Sequence, residues 1–257
     1  MVTLDGRVAV ITGVSRENGI GYGLARRLAA DGASLYLTGW RAFDEEMRWG
    51  PSPEGAVGAL LDELRASGTE VDYNAHDLGQ PDAPAAVIAS AGERFGHVDI
   101  LVADHARSSH QSLEALTAEE IDKTLAVNVR ASLLLVQAFA AQHDGRPGGR
   151  VVLFTSGQYL GAMPTELPYT ASKGALHQLT FSLAEPLMGR NITVNTVNPG
   201  PVDTGYATGE EHAAVAARFP RGRWGSPVDT ARLVAWLVSD EADWVTGQVI
   251  ASDGGFR

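Results

Sequence analysis

The sequence predicts an α/β fold in which seven parallel strands form a doubly wound sheet with helices on both faces. Short apolar runs, typical of buried strands, alternate with longer helical segments throughout the 257 residues. Parallel strands need crossover connections, and this alternation supplies a helix for them. The chain contains no linker, internal repeat or low-complexity segment. We therefore expect residues 1–257 to form one domain.

Composition excludes several classes of function. The formal net charge is −11, so neither nucleic acid nor an anionic membrane is an expected partner. Cysteine is absent, which excludes disulfides, zinc–thiolate sites and thiol nucleophiles, and we expect no metal centre. Residues 1–7 carry no signal-peptide pattern, and no apolar run approaches the ~20 residues that span a membrane. We expect a cytoplasmic protein.

The first half of the chain begins with a βαβ unit. A strand over residues 7–12 leads through a glycine-bearing loop into a helix that stops at residues 31–32, and a second strand follows at residues 34–38. Residues 40–53 form a long, irregular connection. The remaining predicted elements of this half are a helix at 54–67, a strand at 71–75, a helix at 84–95 and a strand at 99–102.

The second half continues the alternation. The longest predicted helix runs from about residue 117 to residue 142, and a strand at 151–155 and a helix through 175–183 follow. After a sixth strand at 192–197, the polar, glycine-bearing residues 204–222 predict a mobile flap with a short helix near 210–219. The final predicted elements are a helix at 227–238, which begins with proline, and a strand at 249–251.

Three glycines between the first strand and the first helix predict a dinucleotide site. Gly13, Gly19 and Gly21 permit a tight turn and let the backbone approach a pyrophosphate at the helix N-terminus. A plain strand-to-helix turn is the alternative, but the complete βαβ unit favours a dinucleotide. We also assign Ser15 and Ile20 of this loop to the cofactor.

The residues that follow the second strand bear on the choice of nicotinamide cofactor. A carboxylate there binds the ribose 2′-hydroxyl, whereas an arginine accommodates a 2′-phosphate. Here Trp40 and Arg41 follow the strand, no acid precedes Asp44, and Arg16 lies in the glycine loop. We therefore expect NADP(H) to be favoured over NAD(H). Asp77, after the third strand, is a candidate partner of the adenine amino group, with a helix N-cap as the alternative.

A second group of residues predicts proton transfer by a phenol. Ser156 follows a buried strand, and Tyr169 and Lys173 lie four residues apart on one face of the next helix. A lysine ammonium one turn away lowers the pKa of a phenol, and a serine hydroxyl can polarise a carbonyl oxygen. Tyr-x-x-x-Lys alone is usually an ordinary surface pair, so the assignment depends on the rest of the chain.

Together these motifs resemble the short-chain dehydrogenase/reductase family over essentially the whole chain, most of all the branch similar to bacterial 3-oxoacyl-carrier-protein reductases. The resemblance implies a Rossmann-type fold. The matching motifs, in chain order, are Thr12-Gly13 through Gly19-Ile20-Gly21, Asp77-Leu78, Asn128, Ser156, Tyr169 with Lys173, Pro199-Gly200 through Thr204, and Asp253-Gly254-Gly255.

The resemblance also implies roles for these residues. Tyr169 would be the acid for carbonyl reduction, Lys173 would lower its pKa and hold the nicotinamide ribose, and Ser156 would orient the carbonyl. Asn128 would hold a water that continues the proton path through Lys173. The further cofactor contacts that the resemblance implies are Leu78, Ala106, Pro199, Gly200, Val202 and Thr204.

Two features depart from the family pattern. The loop after the fourth strand reads Ala103-Asp104-His105-Ala106 where the family usually has Asn-Asn-Ala-Gly, and this change could crowd the cofactor. We expect His105 to pack beside the cofactor rather than to act as a base. The glycine loop is two residues longer than the common form, partway toward the enoyl reductase branch. That branch places its tyrosine seven residues before the lysine, where this chain has Glu166.

The leading hypothesis is an NADPH-dependent enzyme that reduces a ketone, either 3-oxoacyl or secondary-metabolite, to an alcohol. One alternative is a non-redox enzyme of the same fold, similar to halohydrin dehalogenases, against which Lys173 and the glycine loop argue. The other is a dinucleotide sensor without turnover, against which the complete set of Asn128, Ser156, Tyr169 and Lys173 argues.

The sequence does not identify the substrate itself. We expect Gln158, Met163 and Tyr206, with the flap, to line its pocket. The helices that carry Asn128 and Tyr169 have apolar residues on more than one face, which predicts a homo-oligomer, by resemblance a tetramer. Residues 40–53 are expected either to cover the adenine end of the cofactor or to meet another subunit, with an aromatic-stapled surface loop as the alternative.

Overall fold

The sheet matches the predicted one in strand number and direction. This computed structural model describes residues 3–257. The strands are β1 (Val8–Thr12), β2 (Ser34–Leu37), β3 (Val71–Tyr73), β4 (Ile100–Ala103), β5 (Gly149–Phe154), β6 (Ile192–Asn198) and β7 (Val249–Ala251). They pair in parallel in the order β3-β2-β1-β4-β5-β6-β7. The order therefore reverses direction beside β1, and ligands of such sheets bind at the carboxyl ends of the strands near this switch point.

Helices cover both faces of the sheet. They are α1 (Ile20–Ala30), α2 (Arg41–Glu46), α3 (Ala56–Ala66), α4 (Ala83–Phe95), α5 (Ala118–Leu125), α6 (Ala131–Gln142), α7 (Leu167–Ala184), α8 (Gly209–Ala217) and α9 (Pro227–Leu237). One core packs α1, α3 and α9 against the sheet, and the other packs α4, α6 and α7 against the opposite face. Adjacent residues of β1 divide between them, because Ile11 lies in the first core and Val10 in the second. This two-sided burial explains why the strands are apolar throughout.

The structure corrects four of the predicted elements. The connection 40–53 is not irregular throughout, since α2 occupies its first half before Gly50, Pro51 and Pro53 end helical structure. The third strand stops at Tyr73, two residues early, and the flap helix is displaced to Gly209–Ala217. The predicted helix 117–142 is interrupted by a π-helical segment, Ala126–Arg130, in which the Ala131 amide bonds the Ala126 carbonyl. Such segments often occur at functional sites.

By length and composition alone, one helical stretch among residues 3–257, Ala118–Gln142, is long enough to cross a membrane. A single stretch of this kind is weak evidence, because core helices of soluble proteins have the same character. Leu135 and Phe139 of α6 are completely buried in the core that α4 and α7 share. The stretch is therefore a core helix of this fold.

Candidate active site and dinucleotide cavity

A cavity of about 470 Å³ opens at the carboxyl ends of β1, β2 and β4, beside the switch point. Most residues of the glycine loop line it, as do the residues that follow β2 and β4. The predicted cofactor residues on its wall are Gly13, Ser15, Arg16, Gly19, Ile20, Trp40, Asp77, Leu78, Ala106 and Thr204. The remaining predicted ones, which are not on this wall, are Gly21, Arg41, Tyr169, Lys173, Pro199, Gly200 and Val202.

The glycines allow backbone segments to approach at this wall. A Cβ on Gly21 would lie 2.6 Å from the Gly13 carbonyl oxygen, so α1 can pack on the loop only without a side chain there. Gly13 has φ +79°, and a Cβ on it would lie 3.0 Å from the Asp104 backbone. The glycines consequently let the loop backbone pack closely against α1 and the loop after β4, an arrangement that fits a pyrophosphate at the N-terminus of α1.

Arg41 does not reach the cavity. Its Nε donates to Glu45 Oε1 at 3.1 Å, and one of its terminal nitrogens donates to the Ser52 carbonyl at 2.6 Å. Arg16 does line the cavity, where its guanidinium lies 5.4 Å from the Trp49 ring centroid and donates to the Thr204 carbonyl. The sequence predicted that Arg16 and Arg41 would both face the cofactor, but of these two only Arg16 lines the cavity.

A carboxyl group that the sequence analysis set aside accompanies Arg16. Asp44 is only 4% exposed, lies on the cavity wall, and interacts with Ser15 and Arg16. Burial raises the pKa of Asp44, and the hydrogen bond from Ser15 and the charge of Arg16 oppose that shift. The sequence pattern did not assign Asp44 to the cofactor site, because it lies three residues beyond Arg41. The turn of α2 brings it back toward the glycine loop.

Asp77 lines the cavity but does not cap a helix. Its Oδ1 accepts a hydrogen bond from the Gly79 amide at 2.8 Å, and its Oδ2 accepts one from the Gln80 side chain at 2.8 Å. The helix that follows, α4, has Asp82 at its N-cap position. The N-cap alternative for Asp77 was therefore wrong, and its carboxylate organises a turn at the cavity wall.

The unusual loop after β4 is held in place by its histidine. His105 Nδ1 lies 2.7 Å from Thr12 Oγ1, and its Nε2 lies 3.1 Å from the Val127 carbonyl oxygen in the π-helical segment. A carbonyl only accepts, so Nε2 carries the proton and Thr12 donates to Nδ1. Burial, with the charge of Lys173, lowers the pKa of His105 to about 3. This neutral, doubly bonded ring is suited to packing rather than to proton transfer.

Asn128 joins that loop to α7. The side chain is completely buried, its Oδ1 accepts from the Arg107 amide at 2.6 Å, and its Nδ2 donates to the Arg107 carbonyl at 3.0 Å and to Ser172 Oγ at 2.8 Å. Both amide hydrogens are thus engaged by protein atoms, which leaves one Oδ1 lone pair for a further donor such as water. Sequence reasoning missed this bracing role.

Ser156, Tyr169 and Lys173 come together where β5 ends and α7 begins. Lys173 is 2% exposed, its Nζ donates to the Phe154 carbonyl at 3.0 Å and lies 5.6 Å from the Tyr169 ring centroid. Burial raises the pKa of Tyr169 to about 12, and a hydrogen bond with Ser156 opposes the shift. The direction is opposite to the one expected from Lys173, because loss of solvation dominates and the charges of Glu166 and Asp104 raise the pKa further.

A second carboxyl group faces this cluster. Asp104 lies on the cavity wall, and burial raises its pKa against the opposing charge of Lys173 and a hydrogen bond from the Gly21 amide. Burial likewise lowers the pKa of Lys173, and Asp104 acts in the opposite direction. The ionised form of Asp104 therefore favours the charged form of Lys173. The sequence flagged Asp104 only as a departure from the family pattern.

The three predicted substrate residues have different surroundings. Gln158 Oε1 accepts from the Ser156 amide at 3.1 Å and its Nε2 donates to Thr155 Oγ1 at 3.0 Å, so it fixes the turn that carries Ser156. Met163 is partly buried in the segment before α7. Tyr206 belongs to an aromatic cluster with Trp49 and Trp224, which sequence reasoning did not connect.

A sheet of this order, with a backbone-walled cavity at its switch point and a tyrosine beside a buried lysine, is characteristic of NAD(P)-dependent dehydrogenases and reductases. Residues 13–257 match a family model described as enoyl-(acyl carrier protein) reductase. The chain belongs to the short-chain dehydrogenase/reductase family.

Its relatives are similar over nearly their entire lengths. The uncharacterized oxidoreductase YjdA of Bacillus subtilis is 36% identical, with 97% of this chain and 96% of that protein covered. Versicolorin reductase 1 of Aspergillus parasiticus is 32% identical, with 98% and 97% covered. A short-chain dehydrogenase from Burkholderia cenocepacia, solved in complex with NADP, superposes with a TM-score of 0.87 at 34% identity, and 98% of each chain is covered.

Proposed function

We propose that this protein reduces a ketone to an alcohol with NADPH. The observation that carries the proposal is the position of Tyr169 beside Ser156 and the buried Lys173, at the strand end next to the dinucleotide cavity. With its pKa raised to about 12, the phenol holds its proton throughout the neutral range, as an acid for carbonyl reduction requires.

The residues divide the proton chemistry among them. When bound, the reduced nicotinamide supplies the hydride that the carbonyl carbon receives. The Ser156 hydroxyl donates a hydrogen bond to the carbonyl oxygen, and Tyr169 transfers its phenolic proton to the same oxygen. The Lys173 ammonium stabilises the phenolate that remains until solvent returns the proton.

A preference for NADP(H) is supported by Arg16, which lines the cavity together with the residues that follow β2 and whose guanidinium complements a phosphate. The NADP in the Burkholderia cenocepacia relative is consistent with this preference. Asp44 opposes it, because a carboxylate repels a 2′-phosphate. We assign the preference to Arg16, because its guanidinium lines the cavity and its hydrogen bonds go to neutral acceptors, Asn18 and the Thr204 carbonyl, rather than to Asp44.

For the substrate, we propose a free secondary-metabolite ketone rather than an acyl chain on a carrier protein. Acyl carrier proteins are acidic, and a net charge of −11 slows their encounter with this chain. The aromatic ring of Tyr206 in the flap, which packs on the buried Trp224, suits a flat ring, and one relative is named a versicolorin reductase. We also propose a homotetramer, because the apolar side chains of Phe181 and Trp244 are 60% and 97% exposed in the single chain. The proposed location is the cytoplasm.

The test begins with tryptophan fluorescence of the purified protein during separate titrations with NADPH and NADH. The proposal predicts tighter binding of NADPH, followed by NADPH oxidation with members of a panel of aromatic ketones. A preference for NADH would overturn the role of Arg16 but keep the enzyme class. Binding without turnover of any ketone would favour the sensor alternative, and no binding would favour the non-redox one.

A further inference from the structure

Residues 40–53, here called the strap, contact two walls of the dinucleotide cavity. At the glycine loop, the Glu17 amide donates to Ser52 Oγ at 2.8 Å. At the loop after β4, Glu46 forms a 3.0 Å ion pair with Arg107, whose guanidinium also lies 5.4 Å from the Phe43 ring centroid. The strap therefore crosses the cavity between the glycine loop and the loop after β4, the two segments proposed to hold the cofactor.

The far end of the strap contacts residues 204–222, here called the flap. The rings of Trp49 and Tyr206 meet edge to face, with centroids 6.5 Å apart at 69°. Tyr206 packs on Trp224 at 5.3 Å and 73°, and Trp224 stacks on His212 at 4.9 Å and 15°. An aromatic chain thus runs from the cofactor cavity through the flap. Edge-to-face pairs stabilise such contacts beyond the area that they bury.

Trp49 has a second property that points to a ligand. It lines the cavity, and its indole Nε1 is buried without a hydrogen-bond partner among residues 3–257. A buried donor without a partner is costly, so the atom is suited to an acceptor that arrives with a ligand. The Arg16 guanidinium, 5.4 Å from the Trp49 ring, adds positive charge at the same place. A donor beside a cation complements a phosphate oxygen.

We propose that Trp49 is a further cofactor-binding residue, whose indole N–H donates to a phosphate oxygen of the dinucleotide and whose ring holds the flap closed through Tyr206. This inference rests on the proposed function, since it requires a nicotinamide dinucleotide in the cavity. The hydrogen bond from the indole N–H would contribute to cofactor affinity, and the ring contact with Tyr206 would contribute to flap closure. Because binding linkage is reciprocal, ordering of the flap also strengthens cofactor binding.

Limited proteolysis with trypsin reads flap closure independently of turnover. The flap contains Arg218 and Arg221, both exposed, and cleavage after them reports its opening. In the wild type, saturating NADPH is expected to slow this cleavage at least several-fold. Two variants separate the roles of Trp49. Trp49→Phe keeps a ring but removes the N–H, whereas Trp49→Ala removes both.

The expected results differ between these variants. Trp49→Phe should bind NADPH about tenfold more weakly, as expected for loss of a hydrogen bond to a charged group, yet remain protected at saturation. Trp49→Ala should lose protection even at saturation. Leu113→Ala, which alters a 71% exposed apolar residue that does not line the cavity, is the control and should match the wild type in both measurements.

Each contrary outcome contradicts one part of the inference. Unchanged NADPH affinity in Trp49→Phe would refute the hydrogen bond to phosphate. Full protection of Trp49→Ala at saturation would refute coupling to the flap. Failure of the wild type to bind either dinucleotide would instead overturn the proposed function, and this inference with it.

Discussion

Thr12 and His105 exchange two hydrogen bonds across the central strands β1 and β4. The Thr12 hydroxyl donates to His105 Nδ1 at 2.7 Å and accepts from the His105 amide at 3.2 Å. The other ring nitrogen bonds to Val127 in the π-helical segment. One neutral imidazole therefore fixes the loop that departs from the family pattern against both the sheet and the helix that carries Asn128.

This arrangement makes stability depend on pH. The pKa of His105 is about 3 in the folded chain and near 6.5 when unfolded, so the unfolded state binds more protons between these values. Stability from this residue is complete above pH 6.5 and is lost as pH falls toward 3. Between pH 7.5 and 5 the loss is about 2 kcal/mol. Urea unfolding of the wild type and His105→Ala at both pH values measures it, and the variant should show that much less pH dependence. Equal dependence in both proteins would contradict the assignment.

Replacement of Tyr169 by Phe is expected to abolish the proton transfer but not the binding of cofactor. We expect kcat to fall at least 100-fold, about the lower range for loss of a general acid. NADPH affinity, measured by fluorescence, should change less than about twofold, because the hydroxyl rather than the ring is removed. A variant that retains most of its activity would rule out Tyr169 as the acid.

The two reaction directions should respond differently to pH. Because the pKa of Tyr169 is raised to about 12, the phenol remains protonated and the rate of reduction with NADPH should be nearly flat from pH 6 to 8. Alcohol oxidation with NADP⁺ requires the phenolate, so its rate should rise with pH over the same range. Parallel profiles of kcat in both directions would argue that another group transfers the proton.

Arg16 and Arg41 provide a matched pair for cofactor selectivity. Arg16→Ala should weaken NADPH about tenfold more than NADH, because it removes the cation that the glycine loop contributes to the cavity wall. Arg41→Ala should affect both cofactors equally and weakly, since its guanidinium bonds to Glu45 and Ser52 outside the cavity wall. Fluorescence titrations of both variants with both cofactors decide this. A larger selective loss in Arg41→Ala would reverse the assignment.

Asp104 is expected to support Lys173 through its charge. Asp104→Asn removes a carboxylate that raises the pKa of Lys173, so the ammonium should lose its proton at lower pH. The alkaline limb of the kcat profile for reduction should then move down by about one pH unit. Asp77→Asn is the control, because that carboxylate also lines the cavity but bonds to Gly79 and Gln80. An unshifted profile in Asp104→Asn would exclude this role.

The parts of the site that local sequence pattern specifies could be predicted. The role of Gly13 and Gly21 could be predicted because a tight turn between strand and helix leaves little choice of residue. The proximity of Tyr169 and Lys173 could be predicted because residues four apart on a helix lie on the same face. The direction of the pKa shift of Tyr169 could not be predicted, because it depends on how deeply the surrounding chain buries the phenol.

Sequence by itself determined the order of strands and helices, the parallel sheet and the family. These follow from apolar periodicity and from glycine and Tyr-x-x-x-Lys spacing, which are properties of neighbouring residues. Only the tertiary structure decided that Arg16 rather than Arg41 lines the cavity and that Asn128 braces the Arg107 loop. It also decided that Trp49 meets Tyr206. The physical reason is that a side chain takes its direction from packing and hydrogen-bond partners that lie far away in the chain.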